Sequence, residues 1–175
     1  MPPASLRSRV GKWVWLFPTT YSLHIGEEYW GGEGFPRWIS MVAGAHLTEN
    51  EFLVLNFIGM LSMIVGVLLL RHGFCWRWIL STLSAVVLLN GTEHVVGSII
   101  TRSYSPGLVT GLLCWVPLGA FALWFEWRNA PRPAFKAGIL AGLGLSVLIL
   151  FSVLPVCEHL KPPSGVSALR GTKAQ

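Results

Sequence analysis

Long apolar stretches separated by short polar breaks dominate this sequence. The clearest one, residues 50–71, is almost wholly aliphatic except for Asn56. A bilayer core about 30 Å thick is crossed by about 20 helical residues, and the chain offers five stretches of that length. We therefore predict an all-α fold, an integral membrane bundle of about five transmembrane helices. The predicted spans are residues 11–30, 50–71, 77–101, 107–127 and 134–157.

The charge content agrees with a single membrane domain over residues 11–160. Only 12% of the 175 residues are charged and Asp is absent, whereas soluble domains carry about 25% charged residues. The net charge of +5 comes from Lys and Arg scattered among loops, which does not suggest nucleic-acid binding. The expected partners are the lipid bilayer and a hydrophobic small molecule. The three cysteines are far apart and indicate no disulfide or cysteine metal motif.

The basic residues predict the orientation in the membrane. Residues 1–10 form a basic tail, and residues 161–175 form a tail that we expect to be flexible. With the N-terminus in the cytoplasm, the inner segments hold eight Lys and Arg residues and the outer segments hold five. The positive-inside rule therefore favours an inner N-terminus and an outer C-terminus, in a multi-pass protein.

Two predicted spans carry matching polar faces. Each face occupies positions i, i+3 and i+4, which point the same way from a helix. The six residues are His24, Glu27, Glu28, Asn90, Glu93 and His94. Ionisable groups inside membrane spans are usually functional, although a purely structural hydrogen-bond network is the alternative. We expect the two faces to meet in one site near the outer side of the membrane.

We assign catalytic roles to the five ionisable members of these faces, His24, Glu27, Glu28, Glu93 and His94. Glu27 and Glu93 hold equivalent i+3 positions, so we expect them to matter more than Glu28. The alternative role of Glu28 is to mark the end of its span among the lipid headgroups. Four further residues are predicted to bind substrate: Asn56, Asn90, Tyr104 and Trp115. Three of them have a plainer role open to them: helix–helix hydrogen bonding for Asn56, turn formation for Tyr104 and packing for Trp115.

Small residues are spaced for close helix contact in Gly107-xxx-Gly111 and Gly138-xxx-Gly142. We expect both motifs to pack the fourth and fifth spans within the monomer. An oligomer formed through either glycine pair is the alternative.

Three motifs occur in order along the chain: His24-x-x-Glu27-Glu28, the later His94, and Tyr104-Ser105-Pro106-Gly107. Together they resemble the HXXEE family of small multi-span membrane proteins, which carries a first motif of that form, a second histidine and a YxPG motif. The resemblance covers about residues 13–157 and supports the site residues. It implies no particular reaction. A looser likeness to sterol-isomerase and membrane terpene-cyclase proteins is analogy only.

The residues leave several functions open. The first is acid–base chemistry, isomerisation or cyclisation, on a lipid or isoprenoid substrate, because a glutamate in an apolar site can stay protonated as a general acid. The second is a metal-dependent hydrolase or oxidase, with zinc or iron held by His24, Glu27, Glu93 and His94. The third is a non-catalytic membrane or transport protein, although no polar path crosses the inner half of the spans.

Overall fold

A computed structural model describes residues 10–72 and 78–153 of the chain. The predicted tails, apart from Val10, lie outside the described residues. So do Arg77 at the predicted start of the third span and residues 154–157 at the predicted end of the fifth.

Helices form all the regular secondary structure of these two described stretches. A single 3-10 turn, Trp13–Trp15, leads into the first α-helix. The helices are α1 (Leu16–Trp30), α2 (Phe35–Ala43), α3 (Glu49–His72), α4 (Trp78–Thr101), α5 (Leu108–Asn129) and α6 (Arg132–Val153). A π-helical turn, Gly111–Trp115, lies inside α5. The predicted all-α membrane bundle is confirmed.

The number of long helices differs from the prediction. Within residues 10–72 and 78–153, four helices, α3 to α6, are long and apolar enough to cross a membrane, where five spans were predicted. The first predicted span contains an α-helix of only 15 residues, because the chain upstream of Leu16 turns as a 3-10 helix and Gly31 ends the helix in an extended conformation. Pro18 stands in the first turn of α1, where a missing N–H removes no helical hydrogen bond.

Helix α4 lies at the centre of the bundle and packs against α3, α5 and α6. The largest core cluster joins side chains of four helices and of the 3-10 turn, and includes Val14, Phe17, Val67, Leu70 and Leu80. In contrast, α3 and α6 expose large apolar side chains such as Phe57 and Leu148, at 69% and 67% of their surface. Such surfaces fit contact with lipid tails rather than water.

Both glycine motifs pack within the monomer, as predicted, but their common partner is α4. A Cβ at Gly142 would lie 2.6 Å from Ala85 Cβ, and one at Gly138 would lie 2.4 Å from the Trp78 carbonyl oxygen. A Cβ at Gly111 would lie 3.2 Å from the Cα of Gly91 in α4. The fourth and fifth spans therefore pack mainly on the third, and the close approach at Gly111 brings the start of α5 beside the polar face of α4.

The short helix α2 crosses over the end of the bundle where the polar faces lie. Its Trp38 is buried and donates a hydrogen bond from Nε1 to Ser103 Oγ, at 3.0 Å. Gly34 and Gly44, with φ of 79° and 65°, begin and end the helix in backbone conformations that suit glycine. Helix α2 is thus tied to residues 102–107, the loop between α4 and α5.

Candidate functional site

Three ionisable side chains converge in the interior between α1 and α4. His24 Nε2 lies 3.7 Å from Glu28 Oε1, and His94 Nε2 lies 3.3 Å from the same oxygen. The three residues are buried, with exposures of 1%, 5% and 4% for His24, Glu28 and His94. We call them the His–Glu–His cluster. The prediction that His24 and His94 meet is confirmed, since their ring centroids are 4.9 Å apart.

The second nitrogen of each imidazole is held by a hydroxyl group. His24 Nδ1 lies 2.7 Å from Thr110 Oγ1, and His94 Nδ1 lies 2.9 Å from Ser105 Oγ. Thr110 donates its own hydroxyl proton to Glu27 Oε2, so its oxygen is left to accept from His24 Nδ1–H. In this chain of hydrogen bonds His24 is protonated at Nδ1 and its Nε2 lone pair is directed towards the cluster. The Asn90 amide, 3.0 Å from that nitrogen, then has to present its NH2 group to it.

Glu27 binds the start of α5 and does not join the cluster. Its two carboxylate oxygens accept hydrogen bonds from the backbone N–H of Val109 and Thr110, at 2.8 and 2.6 Å, and from the Tyr104 hydroxyl, at 2.5 Å. The first N–H groups of a helix have no partner within it, and Gly107 at the N-cap has no side chain to supply one. Glu27 therefore supplies, from another helix, the cap that α5 lacks.

Gly107 closes the cluster on one side with bare backbone. It adopts φ 99°, and a Cβ at this position would lie 2.8 Å from His94 Cε1 and 2.9 Å from His24 Cε1. A side chain would enter the space that the two imidazole rings occupy. The Tyr-x-Pro-Gly sequence thus has three contacts with the site, through Tyr104 to Glu27, through Ser105 to His94 and through the backbone of Gly107.

Aromatic rings enclose the rest of the cluster. Trp115 stacks on His24 with a centroid distance of 3.9 Å, and Phe35 of α2 meets His94 edge to face at 5.7 Å. Trp115 is 3% exposed, and its indole N–H has no acceptor within the described part of the chain. Buried polar groups of this kind are rare and call for an explanation. An acceptor on a bound ligand would provide one.

Asn90 lies beside the cluster, as the predicted polar face requires. Its Oδ1 is 3.0 Å from His24 Nε2. Asn56, by contrast, pairs with Tyr21, whose hydroxyl donates to Asn56 Oδ1 at 3.0 Å. This hydrogen bond joins α1 to α3 and is the plainer of the two roles expected for Asn56.

Glu93 is not brought to the cluster. It is exposed on α4 and lines a surface groove with Trp38. Successive helical residues point about 100° apart, and since His94 faces α1, Glu93 must face elsewhere. The same rotation separates Glu27 from Glu28. The metal-ligand set His24, Glu27, Glu93 and His94 is therefore corrected, because the arrangement could hold a metal through His24, Glu28 and His94.

Sequence reasoning missed four contributors to the site. They are Thr110, Ser105, Phe35 and the backbone of Gly107. A hydroxyl or an aromatic ring within an apolar sequence is common and gives no signal of its own. The Tyr-x-Pro-Gly motif alone marked the loop that carries two of the four.

Tyr104 is the titratable partner of Glu27 in the loop outside the helices. Burial, and then the hydrogen bond to Glu27, raise the pKa of its phenol to about 12. Tyr104 therefore stays a hydrogen-bond donor to the Glu27 carboxylate throughout the ordinary pH range.

Comparison with known proteins places the chain in one family. No curated protein and no solved structure matches the chain. A family model described as a protein of unknown function with HXXEE motif matches residues 15–122, which contain the cluster, its supporting hydroxyls and the Tyr-x-Pro-Gly loop. The chain belongs to the HXXEE family.

Proposed function

We propose that the protein is a membrane-embedded metalloenzyme in which His24, Glu28 and His94 bind one divalent metal ion, zinc or iron, and act on a lipid-soluble substrate. The observation that carries the proposal is the convergence of three ligand atoms, two Nε2 and one carboxylate oxygen, all within 4.8 Å of one another. Two histidines and one carboxylate form common catalytic sites for both metals.

The spacing within the cluster fits shared ligands better than hydrogen bonds. Ionic N–H···O hydrogen bonds are about 2.7–2.9 Å long, whereas the two Nε2 atoms lie 3.7 and 3.3 Å from Glu28 Oε1. Ligand atoms bonded about 2.0–2.1 Å from a tetrahedral zinc lie about 3.3–3.4 Å apart. The two nitrogen-to-oxygen distances are therefore close to those between ligand atoms arranged around one ion.

The surroundings fit a metal centre as well. Metal-binding histidines normally donate their other N–H to a fixed acceptor, which orients the ring, and Thr110 and Ser105 are placed to accept from His24 and His94. A divalent ion would also offset the buried charge of Glu28, which is expensive inside a membrane protein.

Two features favour catalysis over a purely structural ion. Three protein ligands leave coordination positions open for water or substrate, whereas structural zinc sites are closed by four. The buried N–H of Trp115 adds a donor without an acceptor among the described residues, next to the ligand His24. A bound metal would supply Lewis-acid hydrolysis if it is zinc, or oxidation if it is iron.

Acid–base chemistry, as in isomerisation or cyclisation, is the second candidate. It is favoured by one observation, the short hydrogen-bond chain from Glu27 through Thr110 to His24, with links of 2.5 and 2.7 Å. Such a chain suits a proton relay that ends at the cluster.

Metal analysis separates the two candidates. The protein is purified in a mild detergent without chelators, dialysed against zinc or ferrous iron, and measured by mass spectrometry for bound metal per chain. We expect about one ion per chain for the wild type and a loss of at least tenfold in affinity for Glu28→Gln. The matched control is Glu33→Gln, which alters an exposed glutamate of the α1–α2 loop. A wild type without stoichiometric metal, or an unchanged Glu28→Gln, would leave the acid–base candidate in place.

A further inference from the structure

An apolar groove runs along the face of α4 that carries Glu93, next to the face that carries His94. It has a volume of about 370 Å³, within the range of about 300–1,000 Å³ typical of small-molecule sites. Its apolar wall comprises Trp38, Val42, Leu89, Val96 and Ile100, and its polar groups belong to Thr92, Glu93 and Thr101. The groove is thus apolar along most of its length, with one acidic side chain.

Glu93 is the feature of this groove that needs an explanation. Among the described residues no hydrogen bond or ion pair to its carboxylate is formed, although other carboxylates of the same helical bundle, such as that of Glu27, are fully partnered. A charged side chain within a membrane span is costly unless it is paired. A partner that arrives from outside the chain would offset that cost.

We propose that this groove binds a single-chain amphiphile with a protonated amine headgroup, the amine pairing with Glu93 and the chain lying along Trp38, Val96 and Ile100. Charge complementarity selects the headgroup, since Glu93 is the only ionisable residue among the described residues that line the groove. The apolar wall selects a hydrocarbon chain. The site is separate from the His–Glu–His cluster and does not depend on whether that cluster binds a metal.

The shape of the site follows from the packing of α2 on α4. Trp38 is buried and lies against Gly97, where a Cβ would approach its ring to 3.1 Å. Phe35 stands between the groove and the cluster, 6.0 Å from the Trp38 ring and 5.7 Å from His94, by centroids. The two sites are therefore neighbours across one aromatic side chain.

The test uses the full chain in lipid nanodiscs and two photoreactive probes, a long-chain primary amine and the alcohol of the same chain length. We expect the amine to label peptides that contain residues 38–42 and 89–101, and excess unlabelled amine to suppress the label. Glu93→Gln should lower amine labelling about tenfold, to the level of the alcohol, because an ionic hydrogen bond becomes a neutral one. Glu33→Gln, at an exposed loop position, should label as the wild type does.

A second pair of variants tests the groove itself. Val96→Phe replaces a small side chain of the groove by a bulky ring and should abolish labelling by the amine. Ile99→Phe makes the same kind of change on the same helix, at a side chain that is 70% exposed and outside the groove, and should leave labelling unchanged. Equal labelling by amine and alcohol in the wild type, an unchanged Glu93→Gln, or labelling spread evenly over the membrane surface would each overturn the proposal. Circular dichroism of every variant identifies any that fails to fold.

Discussion

At the scale of single residues, neighbouring glutamates of one motif perform different tasks. Glu28 lies in the His–Glu–His cluster, while Glu27 caps α5 and binds Tyr104. The sequence predicted that both would lie near His24 and His94, because helical spacing places them within one arc. It could not decide which of the two would reach the imidazoles, since that depends on the partner present in each direction. For the same reason it placed Glu93 in the site, whereas the structure turns it towards the groove.

Gly107 offers a test of how closely the loop encloses the cluster. Gly107→Ala should destabilise the protein by about 1–2 kcal/mol through its left-handed backbone, and by about 1–3 kcal/mol more through overpacking against the two rings. We expect metal binding to weaken with it. Thermal unfolding in detergent and metal content per chain are the measurements.

The matched control for this change is Gly44→Ala. Gly44 also has a positive φ, 65°, but nothing lies within 4 Å of its added Cβ. It should show the backbone penalty alone and keep its metal. If the two variants lost the same amount of stability and of metal binding, the close approach of residue 107 to His24 and His94 would contribute to neither property.

Tyr104 provides a prediction about pH. Its phenol is neutral and donates to Glu27 below the ordinary pKa near 10, so this stabilisation is fully present there. It is lost as the pH rises through the folded-state pKa of about 12. Tyr104→Phe should lower the free energy of unfolding by about 0.5 kcal/mol at neutral pH, a small value because the side chain is 38% exposed.

The measurement is unfolding of the wild type and of Tyr104→Phe between pH 7 and pH 12. The difference between the two proteins should shrink as the pH rises. A difference that stays constant up to pH 12 would show that the hydroxyl contributes through packing and not through its hydrogen bond to Glu27.

At the scale of helices, three of the predicted spans coincide with helices of the structure. Hydrophobic length alone predicted α3, α4 and α5 to within one or two residues at each end. The prediction that the glycine motifs pack within the monomer is confirmed. The sequence did not indicate that both motifs would pack against α4. Hydropathy describes which helices enter the membrane, and side-chain volume at the contacts decides which of them touch.

Two glycines of α6 test that packing, because alanine should lower the stability at one of them and raise it at the other. A Cβ at Gly142 would meet Ala85 at 2.6 Å, whereas nothing lies within 4 Å of one at Gly144. Gly142→Ala should therefore destabilise the bundle by about 1–3 kcal/mol. Gly144→Ala should stabilise it by about 0.5–1 kcal/mol, because alanine restricts the unfolded chain.

Unfolding of the two variants in the same detergent gives the comparison. Destabilisation of similar size at both positions would mean that the two faces of α6 are equally packed, contrary to the structure. Stabilisation at both would mean that α6 does not approach α4 as closely as the glycines allow.

At the scale of the whole molecule, the number of spans depends on whether the first helix crosses the membrane. In the described part of the chain four helices are long enough by themselves, whereas α1 has 15 residues. The 3-10 turn Trp13–Trp15 extends it, however. Three residues that rise about 2.0 Å each and fifteen that rise about 1.5 Å each form a segment about 28 Å long. That length is close to the hydrocarbon thickness of about 30 Å, so we retain the prediction of five spans.

The direction of α1 decides the side of the membrane on which every later loop lies. The His–Glu–His cluster ties α1 to α4, and the hydrogen bonds of His24 and Glu27 to Thr110 tie α1 to α5, so α1 lies inside the bundle beside these helices. The eight-to-five excess of basic residues in the inner segments then predicts an inner N-terminus. Reporter fusions at residue 103 and at the C-terminus should both read as outside, with a fusion at residue 130 reading as cytoplasmic as the internal control. If α1 did not cross and the N-terminus stayed inside, all three readings would reverse, and the cluster would lie near the cytoplasmic face.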